Sequence, residues 1–172
     1  GGIGAEREPF SSSPDLMVAC VSTTRAWQHK HGRVSAQQID RVARLLANAT
    51  PAQLRVVVVH QPVAVSRAED VPNLLRGHAA ALQCWAQAGA DIAMGGHIHL
   101  PFVLSLQGLA RPLWAVQAGT AVSSRVRAGV PNSVNLLRWG ADSAPGCCQF
   151  EQWDFSVAEC AFIRATVSAV RP

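Results

Sequence analysis

The apolar run Leu16 to Ser22 (LMVACVS) is short and carries β-branched side chains, the pattern of a buried strand. A polar stretch, TTRAWQHKHGR, follows it and reads as a loop. The period then changes. In SAQQIDRVARLLANA, Ile39, Val42, Ala43 and Leu46 recur at helical spacing, with Ser35 placed as N-cap and Gln38 three residues on to complete a capping box. The segment LRVVVVH, ending at His60, is too short for a helix and rich in valine, so it is expected to be a central strand. Beyond the loop QPVAVSRAEDVP, residues Asn73 to Ala88 put Leu74, Leu75, Ala81, Leu82 and Trp85 on one stripe, and Gly89 follows as a C-terminal cap. This second predicted helix leads into a third strand, DIAMGG.

From there the pattern shortens. FVLSLQ, PLWAVQAG, SVNLLRW, CQFEQWDFSV and AFIRATVSAV are separated by Gly, Pro and Asn turns, which suits antiparallel strands. The first half reads strand, helix, strand, helix, strand, and the second half is mostly strand. One α/β unit with a β-rich C-terminal portion is expected, without repeats or low-complexity tracts. Trp85, Trp114, Trp139 and Trp153 all fall in predicted elements and are expected in the core.

Composition narrows the class. The 172 residues are 49% hydrophobic and 15% charged, enough to build a globular core. No apolar run approaches the ~18–20 residues of a membrane helix, and the N-terminus GGIGAEREPF is too charged for a signal peptide. A soluble, cytoplasmic chain with no membrane partner is expected. The missing N-terminal Met leads us to expect a fragment or processed product. The charge of +4 comes from scattered arginines, with Lys30 the only lysine, so there is no clear nucleic-acid patch, although guanidinium groups suit a phosphate-bearing substrate. Cys20, Cys84, Cys147, Cys148 and Cys160 form no CxxC and are expected to be reduced.

The candidate chemistry is imidazole. In GADIAMGGHIHLPF, His97 and His99 stand just past a predicted strand, as His60 does in VVVVHQP. The C-terminal edge of a parallel sheet is where ligands collect. The glycines are expected to let the backbone turn sharply, and a one-residue gap in extended geometry would point both rings to one side. Neutral imidazole ligates zinc, iron and related ions, whereas a single strand-end histidine is more commonly a satisfied polar residue. Pro62 is expected to stiffen the loop carrying His60. His29 and His31 repeat the spacing of His97 and His99 but lie in the polar loop, so a solvated or rim position is expected. His78 is expected to be partly buried on the second helix. Arg125 and Arg127 in GTAVSSRVR are expected at the surface, outside the site.

Taken together, VVVVHQP, a helix, GADIAMGGHIH and then QAGTAVSSR resemble the C-terminal half of the calcineurin-like metallophosphoesterases. VACVSTTRAWQHKHGRVSAQQIDRVARLLA is similar to what precedes the His-x-Pro strand in bacterial members. The resemblance implies an α/β fold, part of a four-layer α/β/β/α sandwich with mixed sheets. Residues 1–14 would be a loop entering the domain, and 15–172 the C-terminal part of a phosphoesterase domain. It implies a hydrolase of phosphoester bonds, phosphodiesters foremost, using two divalent ions (Mn, Fe, Zn or similar). His60 and His97 would ligate one ion and His99 the other, and Gly96 would supply the close turn before the pair.

The family's upstream motifs, Asp-x-His, Gly-Asp-x-x-Asp and Gly-Asn-His-Asp/Glu, do not occur here. The chain by itself is therefore expected to hold at most one weakly bound ion and to be inactive. It should expose an apolar face, to be covered by a missing N-terminal part or by self-association. The rival expectation is a non-catalytic α/β binding or scaffold module that keeps the fold.

Overall fold

The computed structural model describes residues 9–24, 31–140 and 146–171. Strand β2 (Leu16–Cys20), helix α1 (Ala36–Ala47), β3 (Leu54–Val58), helix α2 (His78–Gln87) and β4 (Ile92–Gly95) follow the expected order. They are joined by β1 (Phe10–Ser12), a short strand inside the stretch read as an entering loop, which pairs antiparallel with β2. β5 (Phe102–Leu106) and β6 (Leu113–Gln117) complete a six-stranded sheet in the order β1-β2-β3-β4-β6-β5. Its inner strands β2, β3, β4 and β6 are mutually parallel, and β1 and β5 close the edges antiparallel. β7 (Ser133–Arg138), β8 (Cys148–Ser156) and β9 (Ala161–Val170) form a separate antiparallel sheet.

Two apolar clusters set the layer order. Met17, Ala19, Val57, Val59 and Ala115 from the large sheet meet Ile39, Val42 and Leu46 of α1 and Ala81, Leu82 and Trp85 of α2. From the opposite face Leu54, Val56, Ile92 and Val116 meet Cys148, Phe150 and Val170 of the small sheet. The result is helices, mixed sheet, second sheet. The valine run of β3 thus serves both cores, which explains why it reads as continuously apolar.

Local chemistry accounts for the helix ends. Ser35 Oγ accepts from the Gln38 backbone N–H (3.2 Å) while the Ser35 N–H donates to Gln38 Oε1 (3.1 Å), closing the expected capping box. At the end of α2, Ala90 N–H reaches Trp85 O and Gly89 N–H reaches Ala86 O, a Schellman turn that Gly89 permits with φ +101. The beginning of α2 differs from expectation: the helix starts at His78, not Asn73. Pro72 sits in a 3-10 helix spanning Ala68–Asn73, Leu75 N–H bonds to Pro62 O, and Arg76 N–H bonds to Gly32 O. These tertiary bonds outcompete helix extension. Leu75 is buried all the same, but from a loop.

Of the four tryptophans assigned to the core, only Trp85 is wholly buried, its Nε1–H on Ile39 O at 3.3 Å. Trp114, Trp139 and Trp153 are half-buried and donate to Arg171 O, Asp15 O and Glu151 Oε2. All five cysteines are free. Burial between the sheets pushes the Cys148 thiol up to about 12, with the neighbouring Cys147 adding to the shift.

The outer face of the small sheet carries exposed Val134, Leu136, Phe162 and Val167 around one buried carboxylate, Glu151. Arg138 Nε donates to Glu151 Oε1 (2.9 Å), and Arg164 stands 3.5 Å from the same oxygen. The Arg138 hydrogen bond, helped by Trp153 and by the two positive charges, outweighs desolvation and holds Glu151 below its ordinary 4.5. A carboxylate with a lowered folded pKa stabilises the fold above its unfolded value and loses that contribution as pH falls through the folded one. Glu151→Gln should therefore flatten the acid side of the stability profile. The urea midpoint of the wild type should drop further between about pH 7 and about pH 3 than that of the variant. Parallel profiles would show that Glu151 does not carry this dependence.

Candidate functional site

The parallel strands β2, β3, β4 and β6 all end at the same sheet edge, and the predicted histidines gather there. His60 lies two residues past β3, and His97 two past β4. His60 Nε2 and His97 Nδ1 are 3.2 Å apart, with ring centroids at 5.1 Å in an edge-on arrangement. His99 faces the same space, a cavity of about 900 Å³ whose walls also include His31, Asn73, Thr120, Arg125 and Arg127.

The turn that presents the rings is a tightly fastened piece of backbone. Gly96 N–H donates to His60 O (2.9 Å), the Gln117 side-chain amide donates to Gly96 O, and Ile98 N–H folds back to the same oxygen (2.8 Å). The extended geometry expected for Gly96 to His99 is not adopted. His97 and His99 take left-handed conformations with φ 73 and φ 54, at a cost of about 1–2 kcal/mol each for non-glycine residues. Buried Ile98 and Leu100 anchor the segment between and beyond them, so both rings still fall on the solvent side.

The glycine requirement also shifts from expectation. A Cβ on Gly95 would stand 2.8 Å from Gln117 Oε1 and 3.2 Å from Gln61 O and Pro62 Cα, whereas one on Gly96 would meet nothing closer than His60 O at 3.7 Å. Gly95 is the close-approach residue, because β4 passes directly under the His60 loop.

That loop is held by more than Pro62. Thr23 Oγ1 donates to Gln61 Oε1 (2.6 Å), both residues are buried, and the Gln61 amide lies flat against Gly32, where a Cβ would overlap it. Gly32 follows His31, so this contact also fixes the base of the second histidine loop. His31, expected in a solvated or rim loop, lines the cavity. His29 lies outside the described residues. His78 is half-buried and bonded to Leu75 O, as expected.

Each imidazole has a definite electronic role. A carbonyl oxygen only accepts, so the 2.7 Å contact of His99 Nδ1 with Arg125 O requires Nδ1 to carry the proton and leaves the Nε2 lone pair free when the ring is neutral. Desolvation lowers the His97 pKa, and the neighbouring His60, His99 and His31 lower it further, so His97 favours the neutral form that binds metals.

Arg127 lines the cavity as part of a clamp. Its Nη1 contacts both carboxylate oxygens of buried Asp70 at 2.8 Å, and its Nη2 reaches Glu69 at 2.7 Å. The Asp70 bond is the main reason its pKa is raised. It ties the 3-10 helix to the loop after β6 and so sets the distance between two cavity walls. Nothing in the local pattern of SRAEDVP could have revealed this, since the partners are far apart in sequence.

Among the described residues the lining contains no carboxylate, and no three His, Cys, Asp or Glu side chains form a group able to hold a metal ion. The His60–His97 pair fits one ion as two neutral nitrogen donors, and a two-ion centre does not fit these residues alone. No helix among the described residues is long and apolar enough to cross a membrane.

Neither a protein-family model nor a curated protein matches the chain. Among solved structures it is similar to Vps29 from Entamoeba histolytica. A single mutant of that protein aligns at 14% identity and TM-score 0.35, covering 89% of this chain and 97% of the other. A double mutant aligns at 15% identity and TM-score 0.34 over the same shares. The wild-type protein complexed with zinc aligns at 15% and 0.32, covering 90% and 97%.

The contrast between the two glycines is directly measurable. Gly95→Ala should lower stability by about 1–3 kcal/mol through overpacking against the His60 loop, while Gly96→Ala should change it by less than about 1 kcal/mol. Urea unfolding of the two variants decides the matter. Equal effects would mean that the close approach beneath His60 does not constrain the site.

Proposed function

We propose that the cleft is the histidine portion of a metal-dependent phosphoesterase site, with phosphodiesters as the favoured substrates. His60 and His97 would hold one divalent ion, and His99 would serve a second ion in the intact enzyme. The reading rests above all on the 3.2 Å between His60 Nε2 and His97 Nδ1. Two nitrogens bound tetrahedrally to one ion at about 2.0–2.1 Å stand about 3.3 Å apart, so a proton or a metal can occupy nearly the same arrangement. The free Nε2 of His99 and the exposed guanidinium of Arg125 face the same space.

When bound, such ions supply charge stabilisation and an acidified water. The chain's own residues bind, orient and stay neutral. The fastened Gly96 peptide fixes the direction of His97, and the Arg125 carbonyl fixes the tautomer of His99. Two cations held close together need anionic ligands to offset their repulsion, and this lining offers none. The proposal therefore assigns the carboxylates to further polypeptide of the intact enzyme, which would also cover the apolar outer face of the small sheet; self-association would be the other way to hide it. Five unpaired thiols suit a cytoplasmic setting. The scaffold reading draws its support from the carboxylate-free cleft and from that same exposed face around Leu136 and Val167.

Titration of the purified chain with manganese or zinc should show a single weakly held ion, with affinity lowered about tenfold or more by His60→Ala or His97→Ala. Affinity should fall with acid, since protons compete for the ring nitrogens. His97 should give way at lower pH than an ordinary histidine of 6.5. Hydrolysis of an aryl phosphodiester with manganese should occur only when the chain is extended upstream. Two tightly held ions in the short chain, or activity there that His97→Ala abolishes, would overturn the half-site reading. An extended chain without metal would favour the scaffold.

A further inference from the structure

The two arginines of the cleft are not equivalent. Arg127 is engaged by Asp70 and Glu69, so its charge is balanced where it stands. Arg125 is exposed, and among the described residues its guanidinium has no carboxylate partner. Its main chain, by contrast, is fastened at both ends. The Arg125 N–H donates to Ser123 Oγ (3.1 Å), and its carbonyl accepts from His99 Nδ1 (2.7 Å). A free cationic fork thus springs from a backbone that is bonded directly to one of the candidate metal-binding rings. The lining around it is otherwise neutral, with Thr120, Asn73 and His31 available as hydrogen-bonding groups.

We propose that Arg125 binds the non-reacting oxygens of a phosphoryl oxyanion in this cleft, and that it does so before any metal is present. The inference rests on the phosphoesterase reading above for the identity of the anion. The chemistry is that of guanidinium, whose planar pair of N–H donors matches two oxygens of a tetrahedral phosphate, an arrangement that an ammonium cannot reproduce. Among the described lining residues there is no carboxylate, so there an entering anion meets the unbalanced charge of Arg125 and no competing negative one. The bond from His99 gives the arrangement a direction, since whatever orients that ring also sets where the Arg125 side chain begins. Surface position made Arg125 look like a solvated residue in the sequence. The third dimension adds its place on the cavity wall and the absence of an ion partner.

The test uses inorganic phosphate as the probe, followed by calorimetry or by broadening of its phosphorus resonance, with a chelator present. Phosphate should bind the wild-type chain and release as salt is raised. Arg125→Ala should weaken binding about tenfold or more, as expected for a lost charged hydrogen bond, and Arg125→Lys should recover only part of it. Both backbone bonds survive these substitutions, so the fold should be kept, which circular dichroism checks. Arg44→Ala, on the exposed side of α1, removes the same unit of charge and should leave phosphate binding unchanged. A wild-type chain that ignores phosphate, an Arg125→Ala chain that binds as tightly as wild type, or an equal loss in Arg44→Ala would each overturn the proposal. Failure of the metal reading shows separately, in a manganese titration without response while phosphate still binds through Arg125.

Discussion

The backbone of Gly96 is the point on which the histidine-bearing edge of the sheet depends. Its N–H is taken by His60 O and its carbonyl by the Gln117 side chain and by Ile98. One residue, through the two peptide groups that flank it, thereby joins the ends of β3, β4 and β6, three neighbouring strands of the parallel sheet. If these bonds were lost, nothing would hold the His60 loop to the start of the His97 turn, and the left-handed conformations of His97 and His99 would lose their support. Those conformations are unfavourable in isolation and persist because burial of Ile98 and Leu100 and the surrounding hydrogen bonds over-determine them.

Charge in the cleft is arranged in two tiers. In one, Arg127 is balanced by buried Asp70 and by exposed Glu69, an ionic unit whose work is mechanical, holding one wall against another. In the other, the imidazoles and Arg125 are left without anionic neighbours among the described lining residues. Desolvation and the neighbouring imidazoles disfavour the protonated form of His97 and keep it in the neutral state, in which its lone pair is available. Neutral nitrogen donors, the feature on which the proposed cation site rests, stand beside the guanidinium proposed to receive anions. On those proposals the cleft would suit a cation and a phosphoryl group together better than either alone.

Much of this was legible in the sequence where a single element carried the message. The capping box at Ser35 and the valine strand before His60 act locally and formed as their patterns implied, while the Gly-Gly-His-Ile-His segment ends its strand where expected but turns left-handed at both histidines. The failures occurred where distant partners intervened. Asn73 to Gly77 has helical periodicity, but Pro62 and Gly32 claim the backbone of Leu75 and Arg76 first. The residue that needs to be glycine is Gly95, not Gly96, because the constraint comes from Gln61 and Pro62 in the loop after β3 and from Gln117 on β6. His31 and Arg125 are exposed, in keeping with their surface reading, but nothing in their own neighbourhoods shows that two loops far apart in sequence meet at one cavity.

Cys148 carries a consequence of its own. The thiol sits between the two sheets among Leu54, Val56, Phe150 and Val170, and its ionisation is pushed up to about 12. Near neutral pH the thiol form therefore dominates, and it is the thiolate, not the thiol, that attacks alkylating reagents. In the closed sandwich Cys148 is thus chemically silent for two reasons, lack of access and lack of charge, while exposed Cys160 is not shielded from the reagent. Slow labelling at Cys148 would time the parting of the sheets, which makes this one sulfur a built-in clock for the opening of the inter-sheet core.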